Sequence, residues 1–135
     1  MKSRVLVVDD EESIREFLEI MLRKEGYEVT CAEDGQKALD TIKKKTFDLV
    51  ISDLQMPNMT GIELLRHVKD QYPDLLFMMI TAFGTTETAV EAMKLGAYDY
   101  ITKPFKIDEV RINIANALRS QNLEVENRTL KKELT

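Results

Sequence analysis

A chain of 135 residues, 44% hydrophobic and 32% charged, has enough apolar material for one domain with a real core, and wholesale disorder is excluded. Its net charge of −5 provides no field to gather nucleic acid, so direct nucleic-acid binding by this piece is not expected. The single cysteine excludes an intramolecular disulfide, no apolar run reaches membrane-spanning length, and no secretion signal precedes the first strand, so a cytoplasmic location without a membrane partner is expected.

Arg4 to Asp9 predicts the first strand, a continuous Val5-Leu6-Val7-Val8 run that ends in Asp9-Asp10. Glu11 to Glu25 predicts a helix, because Ile14, Phe17, Leu18, Met21 and Leu22 recur at spacings of three and four, and Gly26 ends it. Glu28 to Ala32 predicts a second strand whose polar positions suit a sheet edge, with Cys31 as a core thiol. A helix over Gln36 to Lys45 turns Ala38, Leu39 and Ile42 inward. Phe47 to Asp53 is the third strand, with an apolar Leu49-Val50-Ile51 run expected of a strand covered on both faces. Met56, Pro57 and Asn58 make a loop before a helix over Gly61 to Gln71, which Pro73 stops and whose outer side carries an exposed His67. Leu75 to Ile80 is a fourth strand, core-filled by Met78-Met79, with its exit at Thr81. A helix over Thr85 to Leu95 closes at Gly96, Tyr98 to Thr102 is a fifth strand leading to Lys103-Pro104, and Asp108 is expected to cap a final, extended helix.

Strict β/α alternation implies an α/β fold: a five-stranded parallel sheet in order 2-1-3-4-5 with right-handed crossovers and helices on both faces. The last stretch changes character. In 120–135, Leu123, Leu130 and Leu134 with Asn127 between them follow the spacing of a coiled-coil seam with one polar position; a solvated helix end is the alternative. The expected organisation is a domain over 1–119 and the start of a helical linker over 120–135.

This order places strands one and three side by side, so Asp9, Asp10 and Asp53 converge just beyond their carboxyl ends. Three carboxylates repel one another unless a cation intervenes, and all-oxygen ligation selects Mg²⁺ or Mn²⁺. Asp53 then suits a nucleophile toward phosphorus, with Lys103 and the metal countering charge on the phosphoryl oxygens and the Thr81 hydroxyl donating to another. Blander readings stand beside these: Thr81 as a helix cap, Tyr100 as a packed core aromatic, and Lys103 as a surface lysine.

Val7-Val8-Asp9-Asp10-Glu11, Asp53-Leu54-Gln55-Met56-Pro57 with Gly61, Thr81-Ala82, and Tyr100 before Lys103-Pro104-Phe105 together resemble the receiver (CheY-like) domain of bacterial response regulators, over residues 4 to 105. The resemblance implies a flavodoxin-like fold and phosphorelay signalling, with Asp53 as phosphoacceptor for a sensor histidine kinase. It implies that Asp10 binds Mg²⁺ directly and Asp9 mainly through water, and that the Gln55 backbone carbonyl joins them. It further implies that Lys103 pairs with the phosphoryl group through a loop with a cis Lys103-Pro104 bond, and that Thr81 and Tyr100 are the switch pair. Gln55 and Phe83 would flank the pocket mouth and tune dephosphorylation. The domain would promote only its own phosphorylation and dephosphorylation and would not be an enzyme otherwise. Homodimerisation is expected through helix four, strand five and helix five, or through the C-terminal helix.

Gly84-Thr85 and Ala89 to Tyr100 are similar to receivers of the nitrogen-regulation type, which precede an ATPase acting on σ54 RNA polymerase. No Walker motif or helix-turn-helix occurs in 1–135, so a transcriptional output is implied only through that similarity; a cyclic-di-GMP enzyme or a kinase is the alternative output. An aspartyl-phosphate phosphatase usually needs a second acid two residues after its nucleophile, where this chain has Gln55. A flavin site would meet Asp9-Asp10-Glu11 where it needs a phosphate cradle.

Overall fold

The computed structural model describes residues 2–134 in backbone and 2–120 in side chains. Its elements run β1 (Arg4–Val8), α1 (Glu12–Lys24), β2 (Glu28–Ala32), α2 (Gly35–Lys44), β3 (Leu49–Ser52), α3 (Gly61–Gln71), β4 (Leu76–Thr81), α4 (Thr86–Lys94), β5 (Asp99–Thr102) and α5 (Ile107–Leu134). The strands form one parallel sheet in the order β2-β1-β3-β4-β5, as the alternation predicts.

Alternation along β1 shows why its apolar run has no polar position. Leu6 and Val8 face one layer with Val50, Phe77 and Met79, against Ala38, Leu39 and Ile42 of α2, Leu64, Leu65 and Val68 of α3, and Ala92 of α4. Val5 and Val7 face the other with Leu49, Ile51, Met78 and Ile101, against Leu18 and Leu22 of α1 and Val110, Ile114 and Ala117 of α5. A parallel strand buried on both sides must be apolar at consecutive positions, and these strands are. β1 leads through α1 to β2 at one edge; the chain then reverses to β3 on the other side of β1, and the next helices fall on the opposite face.

Local rules explain most boundaries. Thr60 caps α3 by accepting from the Glu63 amide, and Asp34 caps α2 by accepting from Lys37. Gly26 takes φ 91° after α1, a conformation that L side chains rarely adopt.

One expectation fails. Asp108 does not cap α5: the helix begins at Ile107, and the Lys106 carbonyl already accepts from the Val110 amide. Asp108 lies within the first turn, where a carboxylate favours the helix dipole and accepts from Arg111 at 2.9 Å. Phe17, which belongs to the helical spacing of α1, lies at the flank of the helix. It remains 39% exposed and leans on the ring of Phe105, with centroids 6.2 Å apart. Cys31 is only partly buried, its Sγ near the Arg15 carbonyl and the Glu19 carboxylate; burial and then Glu19 push its thiol pKa up, which makes it a poor nucleophile. The leucine seam expected over 123–134 concerns side chains outside the described residues, although α5 itself runs to Leu134.

Candidate functional site

The three strand exits are fixed by the same device. The Asp9 amide donates to the Ala32 carbonyl of β2, the Asp53 amide to Val8 of β1, and the Lys103 amide to Thr81 of β4. Each residue thus makes one last ladder bond after its strand ends, and its side chain emerges at the carboxyl edge of the sheet. Strand order makes Asp9 and Asp53 neighbours, and oxygens of Asp9, Asp10 and Asp53 all lie within 4.8 Å of one another.

Asp9 is 3% exposed and Asp53 2%, whereas Asp10 is open to solvent. Lys103 Nζ lies 3.4 Å from Asp9 Oδ2 and 3.9 Å from Asp53 Oδ2, with its side chain 15% exposed, so it is not a surface lysine. The Asp9 Oδ1 accepts from the Glu11 amide at 3.0 Å, and the Asp53 Oδ1 from the Leu54 amide at 2.7 Å. Even so, the Asp9 carboxyl is held above its ordinary pKa of 3.8. Burial is the main cause and Asp53 adds to it; the Glu11 amide and the Lys103 charge oppose it without prevailing. A pocket that strains an ionised carboxylate in this way favours a bound cation. Three carboxylates without histidine or cysteine form a hard donor set suited to Mg²⁺ or Mn²⁺.

Around this centre, Thr81 is fully buried, and its Oγ1 accepts from the Phe83 amide at 3.1 Å. Thr81 is therefore not a helix cap; Thr85 caps α4. Gln55 and Phe83 are exposed on the loops after β3 and β4. The Lys103–Pro104 peptide bond is cis. Tyr100 is half-buried against the α2/α3/α4 layer, and its hydroxyl shares a hydrogen bond of 2.9 Å with Thr88 Oγ1. The site residues named from the sequence thus fall at one end of the sheet, with Tyr100 further back along β5, in register with Met79 of β4.

Sequence reasoning did not assign a role to three residues near the site. Arg15 on α1 donates to the Asp9 carbonyl at 2.8 Å and anchors the strand exit. Gly61 comes so close to the Asp53 carbonyl that a side chain there would collide with it, and its amide donates to Leu54 at 2.7 Å. Thr88 bridges the α4 cap to Tyr100. Gly61 stands in the motif that carries the family resemblance, and Thr88 left a Thr-x-x-Thr capping pattern at 85–88.

Residues 5–125 match the response regulator receiver domain family. The chain belongs to that family. This receiver is 36% identical over 125 residues to the response regulator protein PilR of Pseudomonas aeruginosa, covering 93% of this chain and 28% of that protein. It is 42% identical over 117 residues to the transcriptional regulatory protein ZraR of Salmonella typhimurium, covering 87% and 26%. Among solved structures, NtrX from Brucella abortus superposes with a TM-score of 0.90 at 39% identity, over 96% of this chain and 30% of that one. A receiver domain protein from Clostridium thermocellum gives 0.85 at 32% identity, over 90% and 98%. The receiver spans between a quarter and a third of the length of PilR and ZraR. It is a receiver of two-component systems, homologous to transcriptional regulators. Among the described residues no helix is long and apolar enough to cross a membrane.

Proposed function

We propose that this receiver takes a phosphoryl group from a phosphohistidine of a sensor kinase onto Asp53 and, in response, changes the surface formed by α4, β5 and α5. The observation that carries this reading is the buried Asp53 carboxylate, within 4.8 Å of two further acids and 3.9 Å from the Lys103 ammonium. In the reaction a carboxylate oxygen of Asp53 forms a bond to phosphorus while the phosphorus–nitrogen bond breaks, and the histidine leaves with its electron pair. Asp9, Asp10 and Asp53, with the Gln55 backbone carbonyl, would hold Mg²⁺, which when bound would supply counter-charge for the phosphoryl oxygens. Lys103 supplies a second positive charge from the β5 side. Thr81, with its hydroxyl oxygen already accepting, keeps its proton for a phosphoryl oxygen.

Residues 1–119 are the switch in this reading, and α5, which continues past them, is the start of the linker that carries its state to an output region, a transcription regulator as in ZraR. Val90 and Met93 of α4 and Ile112 of α5 are about half exposed, which suits a homodimer contact on that face. The test is intact-protein mass after incubation with acetyl phosphate and Mg²⁺. One phosphoryl group is expected, lost when EDTA is added, and Lys103→Met should slow its uptake by roughly 100-fold or more. Uptake indifferent to both EDTA and Lys103→Met would sink the mechanism.

The raised pKa of Asp9 gives the metal a pH dependence. With a folded value above the unfolded one, Asp9's contribution to stability is fully present below 3.8 and lost as pH rises through its folded value. Above that window the ionised carboxylate is a cost that a cation relieves, and below it a proton competes with the cation. Mg²⁺ affinity, titrated calorimetrically over a pH series, is expected to start falling at a pH above the range of an ordinary aspartate. An affinity that stays flat until that range is reached would remove Asp9 from the ligand set.

A further inference from the structure

We propose that Thr88 is a positioning residue for Tyr100: its hydroxyl latches the tyrosine ring into a seat left open by Gly84, and ties the ring's position to the N-terminal cap of α4. The inference rests on the reading of Tyr100 as a switch residue and adds what holds it.

Two independent observations meet here. The first is the hydrogen-bond set of Thr88. Its Oγ1 accepts from the Thr85 amide at 2.9 Å, lies 3.1 Å from Thr85 Oγ1 and 3.0 Å from the Thr85 carbonyl, and lies 2.9 Å from the Tyr100 hydroxyl. The Thr85 side chain in turn accepts from the Thr88 amide, which completes a reciprocal capping box. One hydroxyl thus serves both the first turn of α4 and the tip of a side chain from β5. A hydroxyl has one proton and two lone pairs, so these claims compete: while Thr88 donates to the Thr85 carbonyl, Tyr100 is the donor to Thr88. Moving the ring away frees a lone pair of Thr88 and leaves the cap to re-form without it.

The second observation is steric. A Cβ added to Gly84 would collide with the Tyr100 hydroxyl and lie 2.9 Å from Cε1 and 3.0 Å from Cζ of the same ring. Gly84 lies outside the positive-φ glycines, so its value here is the absence of a side chain, not backbone freedom. The loop after Thr81 therefore carries a glycine where the ring needs room, and α4 carries a hydroxyl where the ring needs a partner. On its other flank β5 is tied to α5, because Asp99 accepts from Asn113 at 2.8 Å and from the Tyr100 amide at 2.7 Å. The ring position is consequently read by α4 through Thr88, while its backbone is fixed to α5.

The test reads the Tyr100 ring by NMR in the unphosphorylated full chain, with isotope-labelled tyrosines and the Tyr100 signal assigned by its loss in Tyr100→Phe. Thr88→Val removes the hydroxyl at nearly constant shape, Thr88→Ser retains it, and Gly84→Ala fills the seat while leaving the capping box intact. Thr88→Val is expected to lower the ratio of seated to displaced ring by roughly three- to tenfold, the worth of one neutral hydrogen bond. Gly84→Ala should displace the ring more completely, and Thr88→Ser should restore the native signal. A Tyr100 signal unchanged in both Thr88→Val and Gly84→Ala overturns the proposal. So does a Thr88→Ser signal displaced as far as that of Thr88→Val, since the hydroxyl would then not be the cause. Gly84→Ala acting alone establishes the seat and overturns the latch. Phosphoryl uptake from acetyl phosphate is measured on the same samples; failure of the wild type there would overturn the acceptor reading and leave the ring measurement standing.

Discussion

Asp53→Asn is expected to take up no phosphoryl group from acetyl phosphate with Mg²⁺, and to be at least as stable as the wild type without metal. The amide matches the carboxylate in shape, and its oxygen can still accept from the Leu54 amide, so the strand exit has no reason to move. What disappears is the nucleophilic oxygen and one negative charge. At 2% exposure that charge is held close to Asp9, where it helps to raise the neighbour's pKa. Removing it relieves like-charge repulsion by on the order of 1 kcal/mol, which sets the gain in metal-free stability. The loss of the 3.9 Å attraction to Lys103 works against this gain, but Lys103 retains its closer partner, Asp9, at 3.4 Å. Mass spectrometry and a thermal melt in EDTA check the two halves. Uptake persisting in the variant would move the acceptor to another residue. A variant that melts well below the wild type would make Asp53 structural first.

Gly61→Ala is expected to damage both fold and site. Its Cβ would meet the Asp53 carbonyl head-on, lie 2.8 Å from Met79 Sδ and come within 3.0 Å of the Leu54 Cα. Two of these three obstacles are backbone, on the segment that carries the acceptor, and backbone cannot rotate aside as a side chain does. Overpacking of this kind costs about 3 kcal/mol, enough to lower the melting temperature by roughly 10 °C in a domain of this size. The displacement is transmitted to Asp53, so phosphoryl uptake should slow even in the fraction that stays folded. Gly26→Ala is the contrasting case: nothing lies within 4 Å, and only its φ of 91° is unfavourable, so about 1 kcal/mol is expected with uptake unchanged. Equal losses in the two variants would show that collision at Asp53 is not the cause.

The sheet was legible in the sequence because its signals are local and redundant. Val5 to Val8, Leu49 to Ile51 and Leu76 to Ile80 are apolar without interruption, and each ends in a polar residue at the same edge. Topology then does the rest, since placing β1 beside β3 brings Asp9 to Asp53 without further information. What stayed hidden depends on which side chain meets which across the fold. Phe17 has the spacing of a core residue, but its position on α1 falls at the flank, beside Phe105. Asp108 is a good capping residue, but the Lys106 carbonyl takes the first helical bond two residues earlier. Gly61 and Gly84 stand in the sequence only as members of motifs; the Asp53 carbonyl and the Tyr100 ring pressed against them show that a methyl group would have to displace backbone at the first and the ring at the second.

The two outer strands carry a consequence for association. β5 is four residues long, and Pro104, which has no amide hydrogen, soon follows its end. β2 is five residues long, begins at a charged Glu28 and is followed by Glu33. Short edges closed by charge or by proline resist pairing with a strand from another chain, the commonest route to edge-to-edge aggregation. Two receivers meeting in solution therefore find little ladder to extend. The proposed homodimer contact thus falls to side chains on helices, and it could be broken or re-formed without unzipping any of the sheet that holds the acids in place.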